Sequence, residues 1–372
     1  GDNGLVKTFL LDAAWFVLTR TWARKAMAIP RPGTRDASIS YRYDKTTPGA
    51  FEGTAVFDWE EYEWGKTPGR PPIPGVVVYA GVDGSFAAWD PARNYWKDSE
   101  RGRERPRSFD FTPEEVWRGA SGPDGTRYCN GLIHDWVSWQ KSRDPLFEEL
   151  SKVLHVLSPE PAERMEPGEP AHLDPLDETE YPTLRMPYGQ DVPLTYASAG
   201  MRRIAALAYL LVWTWNGHRR ASKQSGSSLA KDLIFLIDEV ECHLHPQWQR
   251  RVVPALLRVV ASLTAGSGIS VQIVAATHSP LVLASAEPDF RVDEDALFHM
   301  DLQDGQAVIE QVPWSKQGDV VNWLVSETFG LQQARSVEAE RAIEAAEAVM
   351  RGATAQLPEG LRSKARVDQE LR

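Results

Sequence analysis

The chain has 372 residues, of which 42% are hydrophobic and 25% charged, an ordinary folded composition with room for about two domains. The net charge of −11 excludes a broad positive field, so a nucleic-acid contact needs a local patch or a partner. One candidate patch is the run Arg101, Arg103, Arg105 and Arg107, although such runs are more often solvated loops.

The chain contains two cysteines, Cys129 and Cys242, too few for a disulfide framework or a cysteine zinc site. We therefore expect a reducing, cytoplasmic location. No signal peptide is recognisable, and the longest apolar run, residues 205–215, is too short to cross a bilayer, so we expect no membrane contact.

The first half alternates helical and strand-like segments. Residues 7–25 lack proline and glycine and are apolar on most faces, which predicts a buried helix. Residues 37–96 predict short strands in an antiparallel β layer, including a hairpin that turns at Asp83-Gly84. Two helices follow, one capped by Thr112 and one by Asp144, each with proline in its first turn.

The second half predicts an α/β arrangement. Residues 158–193 are rich in proline and glutamate and predict a loop or linker, after which an apolar helix begins. The run DLIFLIDE predicts a buried strand of a parallel sheet. A helix from Pro246, kinked at Pro254, leads to a second buried strand, ISVQIVAATHSP. A hairpin turning at Asp304-Gly305 and a helical tail over 332–350 follow.

The chain opens on GDNGLVKT, which differs by one residue from the phosphate-binding pattern G-x-x-x-x-G-K-[ST]. Gly1, Lys7 and Thr8 match, while Val6 stands at the second glycine position. Such a loop normally follows a buried strand, and nothing precedes Gly1. Either the motif is accidental, or the chain is a fragment truncated at this loop.

Polar residues end both predicted parallel strands. Asp238 and Glu239 follow the first strand, and an acidic pair there is costly without a cation or substrate, unless the strand simply ends at the surface. His278 ends the next strand, and a lone histidine there is often only a hydrogen-bonded structural residue. Ligands bind off the carboxyl ends of parallel strands, so these side chains are expected at one rim.

A loop of small residues, Ser198 and Gly200, enters the helix that precedes these strands. The N–H groups at a helix N-terminus attract anions, and small residues let a phosphate approach closely. An ordinary capped helix start explains the loop equally simply.

In this order, the motifs resemble the ATP-binding-cassette type of AAA family ATPase, in the broad RecF/SMC/OLD-like group. The segments IDEVECHLHP and ATHSP are the most specific matches. The resemblance implies an α/β P-loop NTPase fold, with a parallel sheet flanked by helices, an antiparallel β layer and a helical subdomain. The implied domains are 1–130 and 196–315 for the two parts of the ATPase head, 131–195 for a helical lobe and linker, and 316–372 for a helical tail.

The resemblance also implies ATP and Mg²⁺ as ligands, with roles carried over residue by residue. The nucleotide-binding residues are Gly1, Asn3, Gly4, Lys7, Thr8, Ser198 and Gly200; the Mg²⁺ ligands are Thr8 and Asp238; the catalytic residues are Glu239 and His278. In the family, the Ser198 loop caps the nucleotide of the opposite subunit. Gln140 is a candidate for the family's Q-loop glutamine, in a segment that fits helix as well as strand.

The resemblance implies ATP-hydrolysing heads that form a homodimer around ATP, in DNA repair or in phage defence with a partner nuclease. Two departures matter. Ala199 and Met201 depart from the family's pattern in the Ser198 loop. The change is tolerable, because the backbone of that loop binds the nucleotide. Val6 projects a branched side chain towards the phosphates and disfavours positive φ, which predicts weakened nucleotide binding.

Other functions stay open. With Val6 blocking ATP, the chain would be a scaffold that dimerises or binds a partner. A membrane-transporter cassette fits the motifs less well. Glu241, His243 and His245 do not have the spacing of a zinc site, and no nuclease site is recognisable after Trp314.

Overall fold

The computed structural model describes residues 5–25, 27–43, 51–65, 73–94, 106–159, 164–304, 306–331 and 334–353, with residues 357 and 367. The predictions for Gly1, Asn3, Gly4, Arg101, Arg103, Arg105 and Gly305, and for the side chain of Val6, lie outside the described residues. Among the helices described, none has both the length and the hydrophobicity that a membrane crossing requires.

The α-helices of the described chain, in order, are α1 (Leu5–Thr19), α2 (Pro113–Arg118), α3 (Leu132–Ser142), α4 (Pro145–Leu157), α5 (Ala199–Ser225), α6 (Pro246–Gln249), α7 (Val252–Leu263), α8 (Pro280–Ala286), α9 (Val320–Leu324) and α10 (Val337–Met350). Short 3₁₀ helices lie at Ala23–Lys25 and Leu194–Tyr196.

The strands, in order, are β1 (Ser38–Tyr43), β2 (Phe51–Asp58), β3 (Glu63–Trp64), β4 (Val76–Ala80), β5 (Phe86–Trp89), β6 (Phe109–Phe111), β7 (Ala120–Ser121), β8 (Arg127–Cys129), β9 (Glu166–Pro167), β10 (Ala171–His172), β11 (Glu180–Tyr181), β12 (Thr183–Arg185), β13 (Asp191–Pro193), β14 (Asp232–Ile237), β15 (Ser270–Ala275), β16 (Leu297–Gln303) and β17 (Gln306–Val312).

A five-stranded mixed sheet forms the centre of the fold, in the order β15-β14-β4-β5-β6. β14 pairs in parallel with both β15 and β4, whereas β5 pairs antiparallel with β4 and β6. The predicted hairpin at Asp83-Gly84 is present, but it belongs to this sheet rather than to a separate antiparallel layer. The reason is burial: every residue of β4 is buried, so the strand takes a central position beside β14.

Helices cover both faces of the central sheet. α5 packs on one face with α4 and α7, in the largest cluster of buried apolar side chains. α1 packs on the other face, where Leu11 and Trp15 meet Val77, Tyr79 and Leu236. The separate sheet β1-β2-β3 packs against the end of α1 through Phe16, and it is antiparallel as predicted.

The first helix is shorter than the predicted span 7–25. α1 ends at Thr19, and Arg20 adopts a left-handed conformation with φ of 57°. The Thr19 hydroxyl donates back to the carbonyl of Trp15 at 2.8 Å and lies 2.9 Å from the Thr21 hydroxyl. These local hydrogen bonds compete with a further turn of the helix. The pattern of apolar residues does not show this competition, so it predicts a longer helix.

The kink predicted at Pro254 is confirmed. The Pro246 helix is split into α6 and α7, with the break at Arg250 and Arg251, because the ring of Pro254 clashes with a carbonyl four residues earlier. Two other segments differ from prediction. α5 continues through Ser225 to a left-handed cap at Gly226. The 158–193 segment contains the short strands β9 to β13 within the predicted loop region.

Several local predictions are confirmed. Thr112 and Glu115 form a capping box at the start of α2, and Asp144 caps α4. β16 and β17 form the predicted hairpin, with Asp304 at φ of 50° in the turn. The helical tail is α10, which begins after the cap Ser336.

A buried polar cluster ties α5 to the sheet. His218 of α5 accepts a hydrogen bond from the Ala230 N–H through Nε2, so its Nδ1 donates to Asp90 Oδ1 at 2.8 Å. Burial by itself raises the pKa of Asp90, but the bond from His218 and the nearby guanidinium of Arg93 outweigh it, and the pKa falls. His218, Asp90 and Arg93 satisfy one another's charges and hydrogen bonds, and the cluster links α5 to the end of β5.

Candidate active site

The carboxyl ends of two parallel strands and the first turn of one helix meet at one edge of the central sheet. Asp238 and Glu239 directly follow β14, and Thr277 and His278 follow β15 after one intervening residue. Lys7 and Thr8 lie in the first turn of α1. The predicted convergence at one rim is therefore present in the structure.

Lys7 reaches across to the end of β15. Its Nζ donates to the carbonyl oxygen of Thr277 at 2.7 Å and lies 3.1 Å from Nδ1 of His278. Residues more than 270 positions apart are thereby joined in one contact. The amine occupies the space between the start of α1 and the residues that follow β15.

Thr8 and Asp238 form the second contact. Thr8 Oγ1 donates to Asp238 Oδ2 at 2.7 Å, and the Asp238 side chain is completely buried. Its other oxygen, Oδ1, has no hydrogen-bond partner among the described residues. A buried carboxylate with an unpaired oxygen beside a hydroxyl is a set of hard oxygen ligands, so these two residues fit Mg²⁺.

Glu239 faces His278 from the β14 side. Its Oε1 lies 3.9 Å from His278 Nε2, and both side chains are about one-third exposed, so water has access to them. Glu239 has φ of 44°, an uncommon left-handed conformation for a non-glycine residue. The strand thus ends abruptly at the acid pair, with Asp238 pointing inward and Glu239 left accessible.

The electrostatics of the site centre on Lys7. Burial lowers the pKa of Lys7 below its ordinary value, and the carboxylates of Glu241, Glu239 and Asp238 act in the opposite direction. The lysine is therefore a partly desolvated cation held near three acids. An incoming anion would find it poorly hydrated.

The sequence interpretation places Glu241 facing the nucleotide or the opposite subunit, and the structure shows contacts of Glu241 within its own chain. The carboxylate of Glu241 accepts from the Thr277 hydroxyl at 2.7 Å and from the His278 backbone N–H at 2.5 Å. It faces the neighbouring strand end of its own chain. The sequence signal was the second glutamate in IDEVECHLHP, two residues after the acid pair.

Arg203 is a residue that the sequence interpretation missed. Its guanidinium donates to the backbone carbonyls of Gly81, Val82, Asp238 and Glu239, at 2.8 to 3.3 Å. Burial lowers its pKa, against the pull of nearby Cys242 and Asp238. Helical periodicity could have indicated its position, because Arg203 lies on the same inward face of α5 as the buried residues Gly200 and Ile204.

The other candidates lie apart from this cluster. Ser198 caps α5 and accepts from the Met201 N–H, and no described hydrogen bond or ion pair connects it with Lys7 or His278. Gly200 packs closely, since an added Cβ would meet the His243 carbonyl at 2.8 Å. Gln140 lies on helix α3 and donates to the Gly168 carbonyl, so the helical alternative for that segment is correct.

The fold and the motifs define an ATP-binding-cassette type of AAA ATPase domain, α/β with a central sheet flanked by helices. The family described as "AAA domain, putative AbiEii toxin, Type IV TA system" matches residues 82–284. This is more than half of the chain, and the chain belongs to that family.

Relatives and solved structures resemble parts of the chain. It is 29% identical over 106 residues to the Septu protein PtuA of Bacillus thuringiensis, a match that covers 28% of this chain and 24% of the relative. It is 28% identical over 100 residues to the Retron Ec83 probable ATPase of Escherichia coli, covering 27% and 15%. The SMC head domain from Thermotoga maritima is 13% identical, with 84% and 88% coverage and a TM-score of 0.35. The chain thus spans less than a quarter of those two relatives.

Proposed function

We propose that this protein binds ATP with Mg²⁺ and hydrolyses it at the edge of the central sheet. The observation that carries the proposal is the convergence of the Lys7 amine, the Thr8–Asp238 pair and the Glu239 carboxylate on one accessible rim. A cation, a pair of metal ligands and a solvent-accessible carboxylate are the parts that phosphoryl transfer to water requires.

Each side chain has a distinct task. Lys7 binds the phosphates, exchanging its bonds to Thr277 and His278 for bonds to phosphate oxygens. Thr8 and Asp238 would hold Mg²⁺, which would supply positive charge to offset that of the phosphates. Glu239 orients the attacking water and accepts its proton, as the water oxygen bonds to the γ-phosphorus and ADP leaves. His278 donates a hydrogen bond to the γ-phosphate.

We further propose that two copies pair around ATP. Ser198 is exposed at the N-terminus of the 27-residue helix α5, apart from the Lys7 cluster of its own chain. An exposed helix N-terminus offers N–H donors to an anion, which suits the phosphate of a nucleotide held by a second copy. A role in phage defence with a partner nuclease, which the resemblance of the motifs implies, is part of this proposal, and the similarity to the Retron Ec83 probable ATPase supports its ATPase part.

Val6 favours the second candidate, a scaffold that does not turn over ATP. It stands at the second glycine position of the phosphate-loop pattern. A branched side chain there keeps the backbone from approaching the phosphates closely. In this case the fold and its pairing surface would persist without catalysis.

Equilibrium binding of a fluorescent ATP analogue separates the two functions. The unmodified chain is expected to bind the analogue only with Mg²⁺, and Lys7→Ala to abolish binding. Lys152→Ala is the matched control, since Lys152 is an exposed residue on α4, and it should bind as the unmodified chain does. Binding that survives Lys7→Ala, or is absent from both the unmodified chain and Val6→Gly, would reject the ATP site.

A further inference from the structure

One peptide group at the end of β15 is held from both sides. Its carbonyl, that of Thr277, accepts from Lys7 Nζ at 2.7 Å. Its N–H, that of His278, donates to Glu241 Oε1 at 2.5 Å. The orientation of this peptide sets the direction of the His278 side chain, so two charged groups at opposite ends determine where the ring points.

Glu241 also organises the residues around that peptide. Its second oxygen accepts from the Thr277 hydroxyl at 2.7 Å, and that hydroxyl accepts from the Ser279 N–H at 3.0 Å. Both bonds to the carboxylate are charge-assisted and therefore stronger than neutral hydrogen bonds. Residues 277–279 are thus a turn built on one glutamate.

We propose that Glu241 is the positioning residue for His278: its carboxylate holds the 277–279 turn so that the imidazole stays between Lys7 and Glu239. The ring's Nδ1 is 3.1 Å from Lys7 Nζ, and its Nε2 is 3.9 Å from Glu239 Oε1. The ammonium of Lys7 can only donate, so Nδ1 accepts and Nε2 carries the proton.

The importance of Glu241 increases when a phosphate arrives. Lys7 then leaves the Thr277 carbonyl, and the peptide loses one of its two charged contacts. Glu241 remains as the group that keeps the Nε2 proton directed into the site. This part of the inference rests on the proposed ATP site, whereas the positioning of the peptide does not.

Amide hydrogen exchange at His278, measured without nucleotide, tests the positioning directly. Glu241→Ala is expected to accelerate exchange of the His278 N–H by about 10- to 150-fold, and Glu241→Gln by less, because a neutral amide oxygen is a weaker acceptor. Glu239→Gln is the matched control: the same change two residues away, with no described bond to that peptide. It should leave the exchange rate within about twofold, within the ordinary scatter of such effects.

The same samples report the ring tautomer by ¹⁵N NMR of the histidine side chains, with His278→Ala identifying the signal. The unmodified chain should show the Nε2–H form, and Glu241→Ala a mixture. Unchanged exchange in Glu241→Ala, or equal acceleration by Glu239→Gln, would overturn the proposal.

Turnover in a Val6→Gly background supplies a functional readout. If Glu241 acts through His278, Glu241→Gln lowers kcat in the presence of His278, but adds nothing to His278→Ala. Independent, multiplying losses in the double variant would show that Glu241 acts by another route. If Val6→Gly binds no ATP, the proposed function fails while the exchange result still decides the positioning.

Discussion

β14 and β15 are neighbouring parallel strands of one sheet, yet their environments differ sharply. Most of β14 is buried, with Phe235 completely inaccessible, whereas β15 alternates between exposed and half-buried residues, and Val274 is 37% exposed. β14 has a strand on each side, and β15 has a strand partner on one side only in the described chain.

Each strand supplies one half of the site, and the difference decides how each half is held. Asp238 and Glu239 continue a strand surrounded by core, so the packing of the whole sheet places them. Thr277 and His278 follow a poorly covered strand, and specific bonds from Lys7 and Glu241 place them. Core packing, together with the Arg203 guanidinium on its backbone carbonyls, places the acidic half, whereas bonds from the Lys7 and Glu241 side chains place the histidine half.

The largest expected effect concerns the acidic half. Glu239→Gln, in a Val6→Gly background, should lower ATP turnover by roughly 10²- to 10⁴-fold, because it removes the group proposed to accept the proton from water. Affinity for the ATP analogue should change little. Steady-state phosphate release with parallel binding titrations measures both. Equal turnover rates for Glu239→Gln and its parent would show that Glu239 takes no part in the hydrolysis.

Stability should follow the same contrast between the strands. Phe235→Ala in β14 is expected to lower the free energy of unfolding by about 3–5 kcal/mol, since it leaves a cavity in the core. Val274→Ala in β15 should cost less than about 0.5 kcal/mol, because the side chain is partly exposed. Urea unfolding of the two variants measures the difference. Similar losses would mean that β15 is as well covered as β14.

A smaller loss is expected in the histidine half. His278→Ala, in the same Val6→Gly background, removes one hydrogen bond to a charged phosphate and should lower turnover by about 10- to 150-fold. The Thr8–Asp238 pair, which we propose as the Mg²⁺ ligands, does not involve this residue, so the Mg²⁺ requirement should persist. A loss as large as that of Glu239→Gln would contradict the ranking of the two halves.

The smallest effect is a pH dependence contributed by Lys7. Burial lowers its folded-state pKa below 10.5, so between the two values the unfolded chain binds more protons. Stability should therefore rise with pH across that interval. Lys7→Met should remove this contribution, whereas Lys152→Met, at an exposed position, should keep it. Urea unfolding between pH 7 and 10 gives the slope, and a slope that survives Lys7→Met would assign it elsewhere.

Much of the fold and the site follows from local patterns. The caps at Thr112 and Asp144, the hairpin at Asp83-Gly84 and the strand before Asp238 all depend on residues close in sequence. The meeting of Lys7 with His278 was predictable because the carboxyl ends of parallel strands share one rim.

Contacts between segments that are distant in sequence were harder to predict. β4 lies beside β14 because it is buried on both faces. Hydrophobicity alone does not distinguish such a central strand from an apolar strand in a separate layer. The bonds from Thr277 and His278 to Glu241 join residues 36 and 37 positions apart, and Arg203 donates to backbone carbonyls, which have no sequence signature. The end of α1 at Thr19 reflects local hydroxyl bonds that competed with a strong apolar pattern.

The one-sided pairing of β15 has a consequence for handling this protein. In the residues that the structure describes, no strand pairs with its outer margin, which leaves backbone donors and acceptors beside an accessible valine as a template for an extended segment of another molecule. Concentrated solutions should therefore self-associate without any nucleotide, and a lysine in place of Val274 should suppress this. Assembly measurements on the ATP-bound state need that variant as their baseline, so that adventitious sheet growth is not mistaken for nucleotide-driven pairing.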